Sequence, residues 1–426
     1  MRYTYIASMT KGRVAVALSG GVDSSTAALL LKQAGYEVMG IHMCLWDSPH
    51  SEYQAHQADL ICHILNIPFH SVDLQKEFDL YVVDYFSQEY KRGRTPNPCV
   101  ACNQHIKFGF LLDKALSLGV DHFATGHYAR IEHSDGGYHL LKAADVNKDQ
   151  SYFLYTLSQE KLRHILFPLG NYTKAEIPQI AKQRGLPIMA RASQDICFIS
   201  PKNYRGFLNQ RFLSMPGDIV DAQGKGLGHH QGIAFYTIGQ RHGLGLALGK
   251  PFYVIRIEPE HNRIVLGERK ELYAQKVIIR KLSWVSGELP SQPITVTAKI
   301  RYKSKETEAT LFPGRHCEPE PFTFCHSEPF ALCHSEGAKR LKNLLFSSFR
   351  ASAHQDKLRE ESPTAQSKLR EGEAIYDVCF TQPQRAVTPG QAIVFYKGNE
   401  VLGGGTISNG KIKMQKYRAK MKNFAF

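Results

Sequence analysis

No apolar run in this chain of 426 residues reaches the roughly 18 residues that a spanning helix needs, so no membrane contact is expected. The opening MRYTYIASMTKGR lacks the apolar core of an export signal and reads as a disordered lead-in over 1–11, with Met9 an alternative start. Carboxylates are scarce beside cations. The chain has 39 Asp and Glu against 53 Lys and Arg, a net charge of +14, which suits a polyanionic partner. The Walker pattern GxxxxGK[ST] is missing, and the first glycine-rich turn lacks GxGxxG, which excludes a dinucleotide fingerprint there. Nine cysteines without an export signal argue against structural disulfides and for reactive or buried thiols in a reducing cytoplasm.

What is present begins with Ser19-Gly20-Gly21-Val22-Asp23-Ser24-Ser25. It follows the apolar strand Val14–Leu18 and precedes a run with helical spacing, Ala27, Ala28, Leu30, Leu31 and Ala34. Strand, glycine turn, helix is the layout that aims backbone N–H groups and a helix N-terminus at a phosphate. Gly20 and Gly21 permit a sharp turn and a close anion. The three serines add hydroxyl donors, and Asp23 can hold the turn or help place a metal.

Further apolar strands are expected at 38–43, 69–73 and 121–125, with helices near 51–66 and 77–91. This alternation predicts an α/β fold with a doubly wound parallel sheet. Ligands of such sheets bind beyond the carboxyl ends of the strands, where the turn at 19–25, Met43 and Gly126-His127 all lie. A hairpin is expected over 129–142, and helices near 158–165 and 173–184. The polar cluster Asn147–Gln150 then opens onto aromatics, either as a helix cap or as a contact surface for a base and its phosphate. From about 210 short strands dominate. Residues 210–281 read as a small β-rich central domain, and 282–315 with 372–410 as a C-terminal β-barrel. The stretch 316–371 interrupts that pattern. Cys325-His326-Ser327-Glu328 recurs at 333–336, and Lys357-Leu358-Arg359-Glu360 at 368–371. We expect an unstructured insertion there and a basic tail over 411–426.

Gly93-Arg94-Thr95-Pro96-Asn97-Pro98-Cys99-Val100-Ala101-Cys102-Asn103 carries a CxxC pair. Its two prolines delay a helix until about Cys102, which places that thiol where a helix N-terminus lowers its pKa. Zinc, iron–sulfur and redox readings all start from such a pair, but no second CxxC supplies further zinc ligands. Cys197 lies in a strand-like apolar run, Ile196–Ile199, and alone would be read as a core cysteine.

Together SGGVDSS, GRTPNPCVACN, IKFG (106–109), TGHYAR (125–130), NKDQSYFL, ICFI, YTIGQRHGLG and AVTPGQ (386–391) resemble the tRNA-specific 2-thiouridylase family of the ATP pyrophosphatase (PP-loop) superfamily. The likeness covers roughly 12–315 and 372–408. It implies a PP-loop domain over 12–209, related to adenine nucleotide alpha hydrolases, and a reaction in which ATP and Mg²⁺ activate the 2-oxygen of a wobble uridine for replacement by sulfur. It implies ATP contacts at Ala17, Leu18, Ser19, Gly20, Gly21, Val22, Asp23, Ser24, Ser25, Met43 and Gly126. Asn97, Pro98 and Cys99 would meet the target base. His127, Lys148, Asp149, Gln150, Arg301, Tyr302 and Gln391 would meet the tRNA.

By the same resemblance Cys197 carries a persulfide and Cys102 frees its sulfur, closing a transient Cys102–Cys197 disulfide. A cysteine desulfurase or relay protein would supply the sulfur. The chain departs from the family at Cys99, where an aspartate is common; this puts an acid–base role there in doubt and leaves three thiols that would also suit a [4Fe–4S] cluster delivering sulfide. Other PP-loop synthetases and amidotransferases are the rival class, and they would not need Cys102 or Cys197.

Overall fold

The computed structural model describes residues 11–187, 196–199, 203–246, 249–313 and 375–409. The expected lead-in, apart from Lys11, the insertion at 316–371 and the basic tail lie outside the described residues.

Five parallel strands form the first sheet: β1 (Arg13–Ala17), β2 (Glu37–Cys44), β3 (Phe69–Asp73), β4 (His122–Ala124) and β7 (Ile165–Leu166). Their order is β3-β2-β1-β4-β7. The chain runs outwards from β1 to β3, then returns to the other side of β1. The switch point therefore falls between β1 and β4, and the loops after those two strands face one crevice. Both faces of the sheet are covered. Val14, Val16, Val38 and Ala124 face one buried cluster, whereas Ala15, Ile41 and Phe123 face another. Near-continuous apolar strands follow from this two-sided burial, and each fully buried Val, Ile or Phe contributes about 1.5–3 kcal/mol.

Helix α1 (Val22–Gln33) buries Ala27, Ala28 and Leu31 and stops at Gly35, whose φ of +91° suits only glycine. Helix α2 (Pro49–Leu65) starts where the Ser48 side chain accepts the Ser51 N–H, with Pro49 in its first turn, and ends at left-handed Asn66. No helix among the described residues is long and apolar enough to cross a membrane.

The hairpin of β5 (Ala129–Ser134) and β6 (Gly137–Lys142) leaves the parallel sheet and pairs with a barrel strand. A second sheet holds β8 (Gly217–Val220), β9 (Gly226–His230), β10 (Tyr253–Glu258) and β11 (Arg263–Gly267), in the order β10-β11-β8-β9. Its core includes Phe86 and Tyr90, from a helix of the first domain. The third sheet is a closed six-stranded antiparallel barrel of β12 (Tyr273–Trp284), β13 (Ile294–Lys299), β14 (Thr307–Phe312), β15 (Tyr376–Arg385), β16 (Ala392–Lys397) and β17 (Glu400–Asn409). Pairing of β12 with both β15 and β17 closes it.

Two local expectations need correction. Tyr273–Trp284 was not read as a strand, yet it is one of the longest in the barrel and begins inside the span assigned to the central domain. Register shifts and a φ of +53° at Lys281 break its alternation, so no period-two signal survives. Ile196–Ile199 forms a turn and not a strand. Aromatic packing pins it: the Phe198 ring lies 5.6 Å from Phe78, 5.3 Å from Phe86 and 5.5 Å from Phe207.

Candidate active site

The turn between β1 and α1 builds an anion cradle. Gly20 has a φ of +72°, and a Cβ there would meet the Gln57 side chain at 2.9 Å. The Ser24 hydroxyl accepts the Ser19 N–H at 3.2 Å and donates to the Gly21 carbonyl at 3.0 Å, while Ser25 Oγ donates to that same carbonyl. Gly21 caps α1 without a side chain, so the first-turn N–H groups stay open towards a ligand. Gly126 sits over this turn. A Cβ on it would lie 2.9 Å from the Ser24 nitrogen and 3.0 Å from the Asp23 carbonyl carbon.

Asp23 is not a free carboxylate. Its Oδ1 accepts from the Tyr128 hydroxyl at 2.9 Å, and Lys174 Nζ lies 2.5 and 2.7 Å from its two oxygens. Sequence reasoning missed Tyr128 and Lys174 as site residues. Tyr128 stands inside the TGHYAR motif, whereas Lys174 carries no signal beyond being basic at the start of an expected helix.

One cavity of about 640 Å³ is lined by Leu18, Ser19, Gly21, Val22, Asp23 and Met43 on the nucleotide side. Its other walls carry Pro98, Cys99, Cys102, Lys107, His127, Gln150 and Cys197. Residues distant in sequence thus meet around one space. The Cys99–Cys102 helix starts at Pro98, with the Asn97 side chain accepting the Val100 N–H at 3.3 Å. Pro98 occupies the first helical position, where a missing N–H costs nothing. Cys102 therefore sits a full turn inside the helix. Burial pushes its thiol up to about 11, the reverse of the lowering expected from a helix N-terminus.

Much of Cys197 is exposed, and partial desolvation at the cavity wall, reinforced by Cys102 and Cys99, raises its thiol. Cys99 is exposed as well, and partial desolvation of its thiol raises it in the same direction. Lys107 is the cation that opposes all three shifts, and it too was missed, although the IKFG motif contains it. Cys99, Cys102 and Cys197 are free thiols. Among the described residues no group of three His, Cys, Asp or Glu side chains is placed to hold a metal ion, so the thiol set does not fit a [4Fe–4S] cage.

The expected RNA contacts divide. Lys148 is exposed. Asp149 is buried, and its oxygens accept from the Ala143 and Ser151 N–H groups and the Ser151 hydroxyl, so it shapes the loop rather than presenting a charge. Gln150 lines the cavity while accepting the Tyr128 N–H. His127 stays neutral, held well below its ordinary value by burial and by Lys107, and its Nδ1 lies 2.7 Å from Thr125 Oγ1.

The barrel residues are partly exposed and each contacts other parts of the chain. Arg301 donates to the Ala386 carbonyl and the Thr388 hydroxyl, and Tyr302 packs 4.6 Å from Phe153, a cavity wall. Gln391 Nε2 donates to the Thr95 and Pro96 carbonyls at 3.0 and 2.9 Å. Its amide hydrogens are thus committed to the loop that carries Asn97, Pro98 and Cys99.

Comparison with known proteins agrees with this construction. The family described as tRNA methyl transferase HUP domain matches residues 12–201, the tRNA methyl transferase PRC-barrel domain 205–268, and the aminomethyltransferase beta-barrel domain 348–407. A protein of Moorella thermoacetica named tRNA-specific 2-thiouridylase MnmA is 42% identical over 410 residues, covering 92% of this chain and 99% of its own length. A Carboxydothermus hydrogenoformans protein of the same name is 41% identical over 412 residues, covering 93% and 97%. A third so named, from Clostridium perfringens, is 37% identical over 415 residues, covering 94% and 99%. The family descriptions speak of methyl transfer and the relatives' names of thiolation; an anion cradle opening onto three thiols accords with the latter. With identity of about two residues in five along nearly the whole of both chains, this chain belongs to the tRNA-specific 2-thiouridylase family.

Proposed function

We propose that this chain replaces the 2-oxygen of a tRNA wobble uridine with sulfur, at the expense of ATP. The observation that carries the reading is the single cavity in which an anion cradle and three thiols face one another. A pyrimidine carbonyl oxygen is a poor leaving group. Attack of that oxygen on the α-phosphate of ATP releases pyrophosphate and turns the oxygen into part of AMP, which leaves readily. The open N–H groups of α1, with Lys174, stabilise the departing pyrophosphate. Mg²⁺ arriving with the phosphates would neutralise their charge, and Asp23 would hold it only in exchange for its contacts with Lys174.

The terminal sulfur of a Cys197 persulfide then attacks C2, and AMP departs with the oxygen. The Cys102 thiolate attacks Cys197 Sγ, the S–S bond to the base breaks, and 2-thiouridine is released as a Cys102–Cys197 disulfide forms. A thiol reductant returns both cysteines to the reduced state. The uridine must leave its stack to enter the cavity, and phosphate contacts with the basic chain make binding salt-sensitive. A reducing cytoplasm suits this thiol pair, and a persulfide-bearing protein is its sulfur source.

Mass analysis of the wobble uridine after incubation with tRNA, ATP and a sulfur source tests the reading. Sulfur is expected with the natural chain and not with Cys197→Ser, while pyrophosphate release persists in both. Thiolation by Cys197→Ser would overturn the role given to Cys197. Iron and sulfide found in anaerobically purified, active enzyme would shift sulfur delivery to a cluster.

A further inference from the structure

Cys197 borders two cavities. Besides the nucleotide cavity it lines a second one, of about 500 Å³. Ser48, Asp79, Val83, Phe207 and Arg211 line the second cavity and not the first. Trp46, Phe78 and Phe198 belong to both and form the partition, with ring centres 5.5 Å apart between Trp46 and Phe78 and 5.6 Å apart between Phe78 and Phe198. The second cavity reaches none of the turn that cradles phosphate. Nothing in the proposed ATP chemistry uses it.

We propose that this second cavity is the entry port for the sulfur donor, an alkyl persulfide R–S–SH, which loads Cys197 from the side away from the nucleotide. The inference rests on the persulfide role of Cys197 proposed above. Its logic is occupancy. When ATP and an extruded uridine fill the first cavity, a donor arriving there would compete with both and admit water to an activated oxygen. A separate approach to the same sulfur removes that conflict.

The lining suits the ligand. Val83, Phe207 and Phe198 offer apolar surface to an alkyl chain, and Arg211 stands among them as a cation. It pairs with Asp79 at 2.8 Å and Asp84 at 3.3 Å on partly exposed side chains, contacts weak enough to be exchanged for the R–S⁻ that leaves in the transfer. In the transfer, the Cys197 thiolate attacks the outer sulfur of R–S–SH. The donor S–S bond breaks, a new one forms at Cys197, and R–S⁻ leaves, taking the proton that Cys197 gave up. No net oxidation occurs.

The test measures sulfur loading of Cys197 by mass spectrometry on the full-length enzyme, with glutathione persulfide in one arm and a persulfide-bearing cysteine desulfurase in the other. Asp79→Trp places a large side chain at a position that lines the second cavity and not the first. Loading is expected to slow about tenfold or more in that variant, because access is obstructed, while tRNA-dependent pyrophosphate release stays at the level of the natural chain and shows that the variant is folded. Slowing in either arm supports the port and tells which donor uses it. In the natural chain, saturating ATP and tRNA should leave the loading rate unchanged. Loading of Asp79→Trp at the natural rate in both arms, or suppression of loading by ATP and tRNA, overturns the port alone. A natural chain that gains no sulfur at Cys197 from either donor overturns the persulfide role, and the port with it.

Discussion

Lys174 Nζ bridges both carboxylate oxygens of Asp23, at 2.5 and 2.7 Å, from a position 151 residues away in sequence. The pair stands on the wall of the cavity beside the turn between β1 and α1. Each side chain is about one-third exposed, 36% and 34%, so solvent screens the bond and its share of stability is small, below about 1 kcal/mol. Its value lies with the ligand: a lysine on the cavity wall is a ready partner for phosphate. Lys174→Met is therefore expected to leave the melting temperature nearly unchanged and to cut tRNA-dependent pyrophosphate release about ten- to hundredfold, as for loss of a charged hydrogen bond. A large fall in melting temperature with normal release per folded molecule would make the pair structural.

Gly126 tests the cradle from the other strand. Its φ is unremarkable, so the demand for glycine is spatial. A methyl group would stand 2.9–3.1 Å from backbone atoms of Asp23 and Ser24, which cannot rotate away. Gly126→Ala is expected to displace the start of α1 at a cost of about 1–3 kcal/mol. Affinity for ATP, read by calorimetry, should fall about tenfold or more. An alanine variant binding ATP normally would show that the two loops are not held in register by this contact.

The cradle was legible because its chemistry is local. Gly20 needs its positive φ within a strand–turn–helix that sequence spacing already marks, and the strand at 69–73 was placed to the residue. Lys174 was not legible, since a lone lysine says nothing about a carboxylate across the crevice. Strand β12 was hidden by its bulges. The reading of Cys102 erred for a different reason. A position near a helix start is visible in sequence and desolvation is not, yet for the buried Cys102 desolvation dominates. Asp149 illustrates the same gap: an acidic residue in a polar run looks solvated, and here it is buried with its oxygens saturated.

Gln391 ties the barrel to the loop before Cys99. Its two hydrogen bonds to the Thr95 and Pro96 carbonyls are worth about 0.5–1.5 kcal/mol each. Gln391→Glu keeps the length and loses both donors. Thiolation at saturating ATP is expected to fall about tenfold or more, by the same energies, with ATP affinity unaltered. Gln391→Ala should behave alike, because donation and not bulk positions the loop. If Gln391→Glu thiolates normally but binds tRNA weakly, the residue serves the RNA directly.

The thiols make the last prediction, and its sign follows from what surrounds them. Burial holds Cys102 up at about 11, well above an ordinary thiol, so little of it carries the thiolate at neutral pH. Alkylation by iodoacetamide follows the thiolate. In the ligand-free enzyme its rate at Cys102 should keep rising through the pH range where ordinary thiols have levelled off. Lys107 favours the charged form of Cys99, Cys102 and Cys197. Removing that cation in Lys107→Met should move the alkylation profile to still higher pH, and Lys107→Arg should restore it. Thiolation should then slow in Lys107→Met while pyrophosphate release does not, because adenylylation needs no thiolate. An alkylation rate already level at neutral pH, or one unmoved by Lys107→Met, would mean that the cavity does not hold its sulfurs protonated until substrate arrives.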